Sequence, residues 1–152
     1  MNVKRIILPN AVMLCEATRM LQEGRTVTIL TKGSSMSPFI RGDRDSVELE
    51  KRNKVEVGDI VLCHLGNGHY VLHRVNALKG DRIRLKGDGN LDATEACTLQ
   101  DVCGTAIKIL KGDKIRFRCD SPSFKRMSRR WVAAPRIIRR YILGIYRRVK
   151  IL

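Results

Sequence analysis

The chain has 152 residues, which is enough for one domain with a buried core and too few for two full domains. Its formal charge of +15 is unevenly distributed. Residues 1–110 contain 16 Lys and Arg against 13 Asp and Glu, whereas residues 111–152 contain 14 against two. We therefore expect a near-neutral body and a C-terminal segment that attracts anions, such as lipid headgroups, nucleic acid or an acidic partner.

The five cysteines are odd in number and contain no Cys-x-x-Cys pair, which argues against a disulfide framework and a zinc ribbon. We expect reduced, mostly buried thiols. There is no stretch of about 18 apolar residues, and the apolar run near Met1 is much shorter than the core of a signal peptide. The expected location is the cytoplasm, with the basic segment available for peripheral contact with the inner leaflet of a membrane.

The first predicted element is a helix over residues 10–23, which Asn10 would cap and Gly24 would end. It presents one apolar stripe, formed by Met13, Leu14, Ala17, Met20 and Leu21. Short β-branched or alternating segments then follow, separated by Gly-Asp dipeptides at residues 42, 58, 80, 87 and 112. They predict a β-rich body with strands at 26–31, 46–50, 60–65, 70–75, 83–85 and 114–119.

Asn67-Gly68 lies between two of these strands and predicts a β-hairpin, because this dipeptide tolerates the positive φ of a tight turn. His73 then lies on the second strand of the hairpin. Side chains alternate along a strand, so two faces are expected. One face carries His69, Val71, His73 and Val75, and the other carries Tyr70, Leu72 and Arg74.

A second helical region is predicted after the Ser121-Pro122-Ser123 break, with an interruption at Pro135. Beyond Pro135, apolar residues recur at helical spacing and predict a basic amphipathic helix; they are Ile138, Tyr141, Ile142, Ile145 and Val149. The predicted organisation is an N-terminal helix packed on the domain (1–24), a β-rich domain (25–120) and a basic amphipathic helical tail (121–152).

Ser35 stands in a Gly- and Pro-containing segment, residues 33–39, and His73 follows 38 residues later. A serine hydroxyl is a poor nucleophile at neutral pH and needs a base within hydrogen-bond reach. A Ser in a Gly-containing turn and a His on a strand can supply the two groups. The pattern therefore favours a serine peptidase site that requires no metal or other cofactor.

Five ordered motifs of the chain resemble the serine peptidase family that includes type I signal peptidases and LexA-type self-cleaving repressors. They are Gly33-Ser34-Ser35-Met36-Ser37-Pro38, Gly42-Asp43, Val57-Gly58-Asp59-Ile60-Val61, His73-Arg74-Val75 and Lys86-Gly87-Asp88-Gly89-Asn90. Since His73 stands where many members have Lys, the chain looks like the endoplasmic-reticulum and archaeal Ser-His branch. The resemblance implies a mainly β fold, the coiled antiparallel β domain of that family. Members of the family are commonly anchored in the membrane by a hydrophobic helix, and this sequence departs from that pattern because it has no stretch of about 18 apolar residues.

The resemblance also implies roles for individual residues. Ser35 is the expected nucleophile and His73 the expected general base, while backbone N–H groups near Gly33 and Ser35 would form the oxyanion hole. Met36 and Pro38 are expected to fix the turn and line the cleft. Asp88 is the expected third catalytic residue, and Asp92 remains open as an alternative acid. Arg74 is expected to pair with a carboxylate and brace the sheet.

The resulting hypothesis is an endopeptidase that cleaves an extended peptide or protein precursor, which would add a strand beside the cleft. The resemblance implies small residues flanking the cut. Two alternatives stay open. One is a LexA-like regulator that cleaves itself, which the short segment before Ser35 disfavours. The other is a non-catalytic module whose basic tail binds a membrane or nucleic acid, and the low aromatic content of 5% favours an anionic membrane over nucleic acid.

Overall fold

The computed structural model describes residues 4–6 and 11–150, with only the backbone of residues 4–6 and Lys150 described. The protein is mainly β, with a curled and largely antiparallel sheet, an N-terminal helix and two C-terminal helices. The nine strands are β1 Lys4–Ile6, β2 Val27–Leu30, β3 Asp45–Glu50, β4 Ile60–His64, β5 Tyr70–Lys79, β6 Arg82–Lys86, β7 Glu95–Thr98, β8 Val102–Lys111 and β9 Lys114–Arg118. The helices are α1 Ala11–Gln22, α2 Pro122–Ala133 and α3 Arg136–Lys150.

The strands form one sheet in the order β1-β2-β3-β8-β4-β5-β6-β7, and β9 pairs with β8 beside β4. Among the strand pairs of the described residues, β1–β2 is parallel and the others are antiparallel. The sheet curls on itself. Strands β5 and β6 lie between β4 and β7 in the sheet, yet the Sγ atoms of Cys63 on β4 and Cys97 on β7 are only 3.3 Å apart.

Two apolar clusters stabilise this curled sheet. The larger one lies between the sheet and the helices, and includes Leu21 of α1, Trp131 of α2 and Leu143 of α3. The smaller one fills the interior of the β4–β7 curl, and includes Val61, Cys63, Val75, Leu85 and Cys97. Since Val71 joins the smaller cluster and Leu72 the larger one, the predicted alternation along β5 is confirmed.

Several predicted elements are confirmed. The N-terminal helix is present as α1, although its predicted cap, Asn10, lies outside the described residues. The hairpin forms as predicted: Gly68 has a φ of 84°, and its N–H donates to the Leu65 carbonyl at 2.9 Å. The basic tail divides into α2 and α3 at Pro135, and the hydroxyl of Ser121 caps α2 by accepting from the Phe124 N–H at 3.2 Å.

Candidate active site

Ser35 lies in the segment that connects β2 to β3, and close backbone contacts fix this segment on both sides. Gly33 has a φ of 76°, a conformation that favours glycine. A methyl group on Gly42 would collide with the Gly33 carbonyl oxygen, so the two backbones touch directly. The Asp43 N–H donates to the Thr31 carbonyl at 2.8 Å. The Gly42-Asp43 dipeptide therefore supports the base of the Ser35 segment.

The side of the segment towards Phe39 is anchored in the larger core cluster. Met36 and Ile40 are buried there, and the Ile40 N–H donates to the Met36 carbonyl at 3.0 Å. The Ser37-Pro38 peptide bond is cis. Ser35 itself is half-buried, between this anchored turn and the surface. Of the residues expected to shape the cleft, Gly33 and Met36 line the cavity described below.

His73 is buried in the middle of β5, opposite Val61 of β4. Its Nδ1 atom lies 2.5 Å from Oε1 of Glu95, which comes from β7. Because an ionised carboxylate only accepts hydrogen bonds, this contact places the single proton of the neutral imidazole on Nδ1 and leaves Nε2 with its lone pair. The imidazole is therefore oriented with Nε2 as its basic atom.

The turn after β6 brings the serine segment and His73 together. A methyl group on Gly87 would lie 2.5 Å from the Ser35 carbonyl oxygen and 3.2 Å from Nε2 of His73. The Ser35 carbonyl and His73 Nε2 are thus no further apart than the sum of those two distances. The Gly89 N–H also donates to the Ser35 carbonyl, at 2.8 Å. Only a residue without a side chain fits at Gly87, between the Ser35 carbonyl and His73 Nε2.

Ser35 and His73 both line one cavity of about 290 Å³ at the surface of the sheet. Helix α1, strands β2, β4 and β5 and the Ser35 segment supply the rest of its wall. The apolar part of this wall is formed by Leu14, Ile29, Leu30, Met36, Ile40, Leu62, Tyr70, Val71 and Leu72. The two candidate catalytic residues therefore stand at the rim of a largely apolar, peptide-sized depression.

The structure differs from the prediction at the third catalytic residue. Asp88 directs its carboxylate to Arg74, with Nε–Oδ1 and Nη2–Oδ2 distances of 2.8 and 2.7 Å, and Asp92 pairs with Arg136 on the surface. The reason is the alternation along β5, which puts Arg74 and His73 on opposite faces. Asp88 therefore lies on the side of β5 that carries the Arg74 side chain, and Glu95 lies on the side that carries the His73 side chain.

Sequence reasoning missed Glu95, although a signal was present. The Ser-His branch that the chain resembles usually has another Asp slightly beyond its Gly-Asp-x-Asn motif, and Glu95 is the first carboxylate after Asp92. A search for either type of acid beyond Asn90 would have found it. Strand β7, which carries Glu95, has only four residues and gave no alternating pattern.

Arg74 pairs with a carboxylate, as predicted, and also joins several elements behind the site. Its Nη1 atom donates to the Gly58 carbonyl at 2.8 Å and to the Ser128 hydroxyl at 2.6 Å. Its guanidinium lies over the Phe39 ring, 4.8 Å from the centroid. Burial raises the pKa of the Asp88 carboxyl, and the Arg74 guanidinium counteracts this shift. The pair is therefore a structural link between β5, the Gly87 turn and α2.

Three of the five thiols, Cys63, Cys97 and Cys103, are buried. Burial raises the pKa of Cys119 to about 12 and also raises the pKa of Cys63. A thiol that stays protonated at neutral pH is a weak nucleophile. Among the described residues, no group of three or more His, Cys, Asp or Glu side chains is placed to hold a metal ion. Ser35, His73 and Glu95 therefore remain the candidate nucleophilic site.

In comparisons with known proteins, no family model matches the chain and no curated protein sequence matches it. The function therefore has to be argued from the site itself. Within residues 4–6 and 11–150, moreover, no helix is both long enough and apolar enough to cross a membrane.

Proposed function

We propose that the protein is a serine endopeptidase with Ser35 as nucleophile, His73 as general base and Glu95 as the residue that orients His73. One observation carries the proposal: the Ser35 backbone and His73 Nε2 both contact the position of Gly87, while Nδ1 of the same ring is held by Glu95. An acid, an imidazole and a serine in this order form the arrangement needed to activate a hydroxyl.

In the proposed reaction, His73 Nε2 accepts the Ser35 hydroxyl proton as Oγ attacks the scissile carbonyl carbon. Backbone N–H groups of residues 33–35 stabilise the negative charge that develops on the carbonyl oxygen. The protonated imidazole then delivers its proton to the leaving amine, and the peptide C–N bond breaks. Water hydrolyses the resulting ester by the reverse proton route. The Glu95 carboxylate stabilises the imidazolium in both steps.

We further propose that the curled sheet is the β domain of the signal peptidase and LexA group. In support, the five motifs occur in the family order. Each contributes to the wall of the cavity beside Ser35 or to the contacts that support this wall. Gly42-Asp43 supports the serine segment, the Gly58 carbonyl accepts from Arg74, and the turn at Gly87 lies against both the Ser35 carbonyl and His73 Nε2. The proposal assigns a structural reason to each motif.

The proposed substrate is an extended peptide segment. The cavity beside Ser35 has an apolar wall and room for an aliphatic side chain, which favours peptides with an apolar residue close to the scissile bond. The close approach of the Ser35 segment, the Gly87 turn and His73 favours small residues at the bond itself. A folded protein would have to present such a segment in an exposed loop or at a terminus.

A proteome-derived peptide library tests this proposal, because it offers the protein many cleavage sequences at once. The purified protein is incubated with tryptic peptides, and new amino termini are read by mass spectrometry. We expect a set of cleavages with a shared sequence preference that Ser35→Ala and His73→Ala both abolish. Thermal unfolding of the two variants provides the control for folding. If the wild-type chain generates no new termini, or Ser35→Ala generates the same ones, the peptidase assignment is wrong.

A further inference from the structure

Helix α3 exposes its apolar stripe and directs the opposite side towards the protein. Leu143 is 2% exposed and belongs to the larger core cluster, whereas Tyr141 is 72% exposed. The exposed stripe consists of Ile137, Ile138, Tyr141, Ile142, Ile145 and Val149. A surface helix of a globular domain normally buries its apolar stripe. In α3 this stripe is left on the outside of the molecule.

Specific contacts hold α3 in this orientation. At its first turn, Arg136 pairs with Asp92, with an Nε–Oδ1 distance of 2.7 Å. Arg139 donates from Nε to the Ala134 carbonyl at 3.2 Å, and Leu143 inserts into the core. All three contacts leave from the side of the helix opposite Tyr141, so the outward orientation of the stripe is built into the fold.

The apolar surface continues from α3 into the groove between α3 and α2. This groove has a volume of about 580 Å³ and is open to solvent. Ile138 and Ile142 of α3 form one side, and Met127 and Trp131 of α2 form the other. The stripe and the groove together make a continuous apolar surface on one face of the molecule, which is typical of an interaction site.

The two helices that form this apolar surface carry charge of a single sign. Residues 122–150 contain ten Lys and Arg and no Asp or Glu. Arg140 and Arg148 border the stripe along α3, and Arg126 and Arg130 border the groove along α2. Long arginine side chains can keep the guanidinium in a polar layer while the neighbouring apolar groups are buried.

We propose that the α2–α3 surface binds an anionic phospholipid bilayer, with α3 lying in the plane of the interface. An exposed apolar stripe bordered by cations fits a membrane surface, where the stripe enters the acyl boundary and the arginines meet lipid phosphates. With 15 residues, α3 is about 22 Å long and lies along the interface without crossing it. The proposal does not depend on the peptidase activity.

Other occupants fit the surface less well. A second copy of the chain would bring two sets of ten cations face to face, which opposes association. A nucleic acid would satisfy the arginines, but its phosphates would lie against the isoleucines at the centre of the stripe. An anionic bilayer satisfies both the charge and the apolar surface.

Co-sedimentation with vesicles tests the proposal. We expect the wild-type chain to bind vesicles of equal parts phosphatidylcholine and phosphatidylglycerol about tenfold or more tightly than vesicles of phosphatidylcholine alone. The Tyr141→Gln/Ile145→Gln variant should bind the anionic vesicles about tenfold more weakly, because it removes apolar groups that enter the acyl boundary. The matched control is Val12→Gln on α1, which changes a side chain that is 78% exposed and should bind like the wild type.

The charge requirement is tested in the same assay. Arg140→Gln/Arg148→Gln should weaken binding by about fivefold for each residue, whereas Arg82→Gln/Arg84→Gln on exposed positions of β6 should have little effect. Ser35→Ala should bind vesicles like the wild type, which separates this proposal from the peptidase assignment. All the exchanged side chains are exposed or half-buried, and unchanged thermal unfolding verifies their folding.

Three results would overturn the proposal. One is the absence of wild-type binding to the anionic vesicles. The second is full vesicle binding by Tyr141→Gln/Ile145→Gln together with tighter binding to duplex DNA, which would identify a purely electrostatic surface for nucleic acid. The third is a concentration-dependent dimer, seen by sedimentation velocity and abolished by the same variant, which would identify a second copy as the occupant.

Discussion

His73 and Glu95 contact each other across a strand that lies between them in the sheet. His73 is on β5 and Glu95 on β7, with β6 in between, yet Nδ1 and Oε1 are 2.5 Å apart. The curl of the sheet brings the two side chains together inside the bend. Because the carboxylate accepts from Nδ1, Nε2 is directed towards the Gly87 turn and the Ser35 segment.

The first prediction concerns Glu95. Glu95→Gln should lower kcat by about 10²- to 10⁴-fold, because the amide no longer stabilises the imidazolium and can present its NH₂ group to Nδ1. KM should change little, since Glu95 does not line the cavity. The measurement is steady-state kinetics on a peptide identified in the library, followed as a function of pH. Rescue of activity by Glu95→Asp, even in part, would support a positioning role.

Asp92→Asn is the matched control, since it removes a carboxylate that contacts Arg136 on the surface and not His73. It should leave kcat near the wild-type value. If Asp92→Asn lowers kcat as strongly as Glu95→Gln, then Glu95 is not the acid that orients the imidazole.

The second prediction separates structural from catalytic acids. Asp88→Ala should destabilise the fold by about 3–5 kcal/mol, because it leaves the Arg74 guanidinium buried without its counter-ion. Urea unfolding at neutral pH measures this loss. Glu95→Gln should change the free energy of unfolding much less, since Glu95 is only partly buried. Equal destabilisation by the two variants would contradict this division of roles.

Much of the fold could be predicted because its signals are local. The stripe of α1, the Asn67-Gly68 turn and the break at Pro135 each depend on residues that are close in sequence. The prediction missed β1, β7 and β8. Strand β8 pairs with β3, β4 and β9. The residues of its N-terminal half, 102–106, are buried on both faces of the sheet. It therefore lacks the alternation that marks a half-exposed strand.

The site was only partly predictable for a related reason. Ser35 and His73 stand in recognisable motifs, but the choice among Asp88, Asp92 and Glu95 depends on the curl of the sheet. Pairing between distant strands decides which carboxylate reaches the imidazole, and no local pattern encodes it. Likewise, the sequence identified the apolar stripe of α3, but the contact of Leu143 with the core determines that the stripe is directed outwards.

The third prediction tests Gly87, which lies between the Ser35 carbonyl and Nε2 of the proposed base, His73. Gly87→Ala should abolish peptide cleavage, because its methyl group would collide with the Ser35 carbonyl and push the segment away from His73. It should also destabilise the fold by about 1–3 kcal/mol. Gly66→Ala, where nothing lies within 4 Å of the added methyl group, is the control and should keep wild-type activity. Normal cleavage by Gly87→Ala would show that Ser35 and His73 do not act across this turn.

The fourth prediction is a pH dependence that arises from Asp45, at the start of β3. Burial favours its neutral form, but hydrogen bonds from the Arg44 side chain and the Arg41 N–H, together with the Arg116 charge, outweigh this and lower its pKa below the usual 3.8. The unfolded chain then binds the proton more tightly than the folded chain does. The stabilisation by ionised Asp45 is therefore complete above about pH 4 and is lost as pH falls through the lower, folded-state pKa.

Asp45→Asn removes this contribution. At neutral pH it should lower the free energy of unfolding by about 1–3 kcal/mol, since Arg116 and Arg44 lose a buried ionic partner. Below about pH 4 the difference between the variant and the wild type should narrow, because acid removes the same charge from the wild type. Urea unfolding at a series of pH values measures both curves. Parallel curves across the acidic range would mean that Asp45 is not ionised more readily in the folded protein than in the unfolded chain.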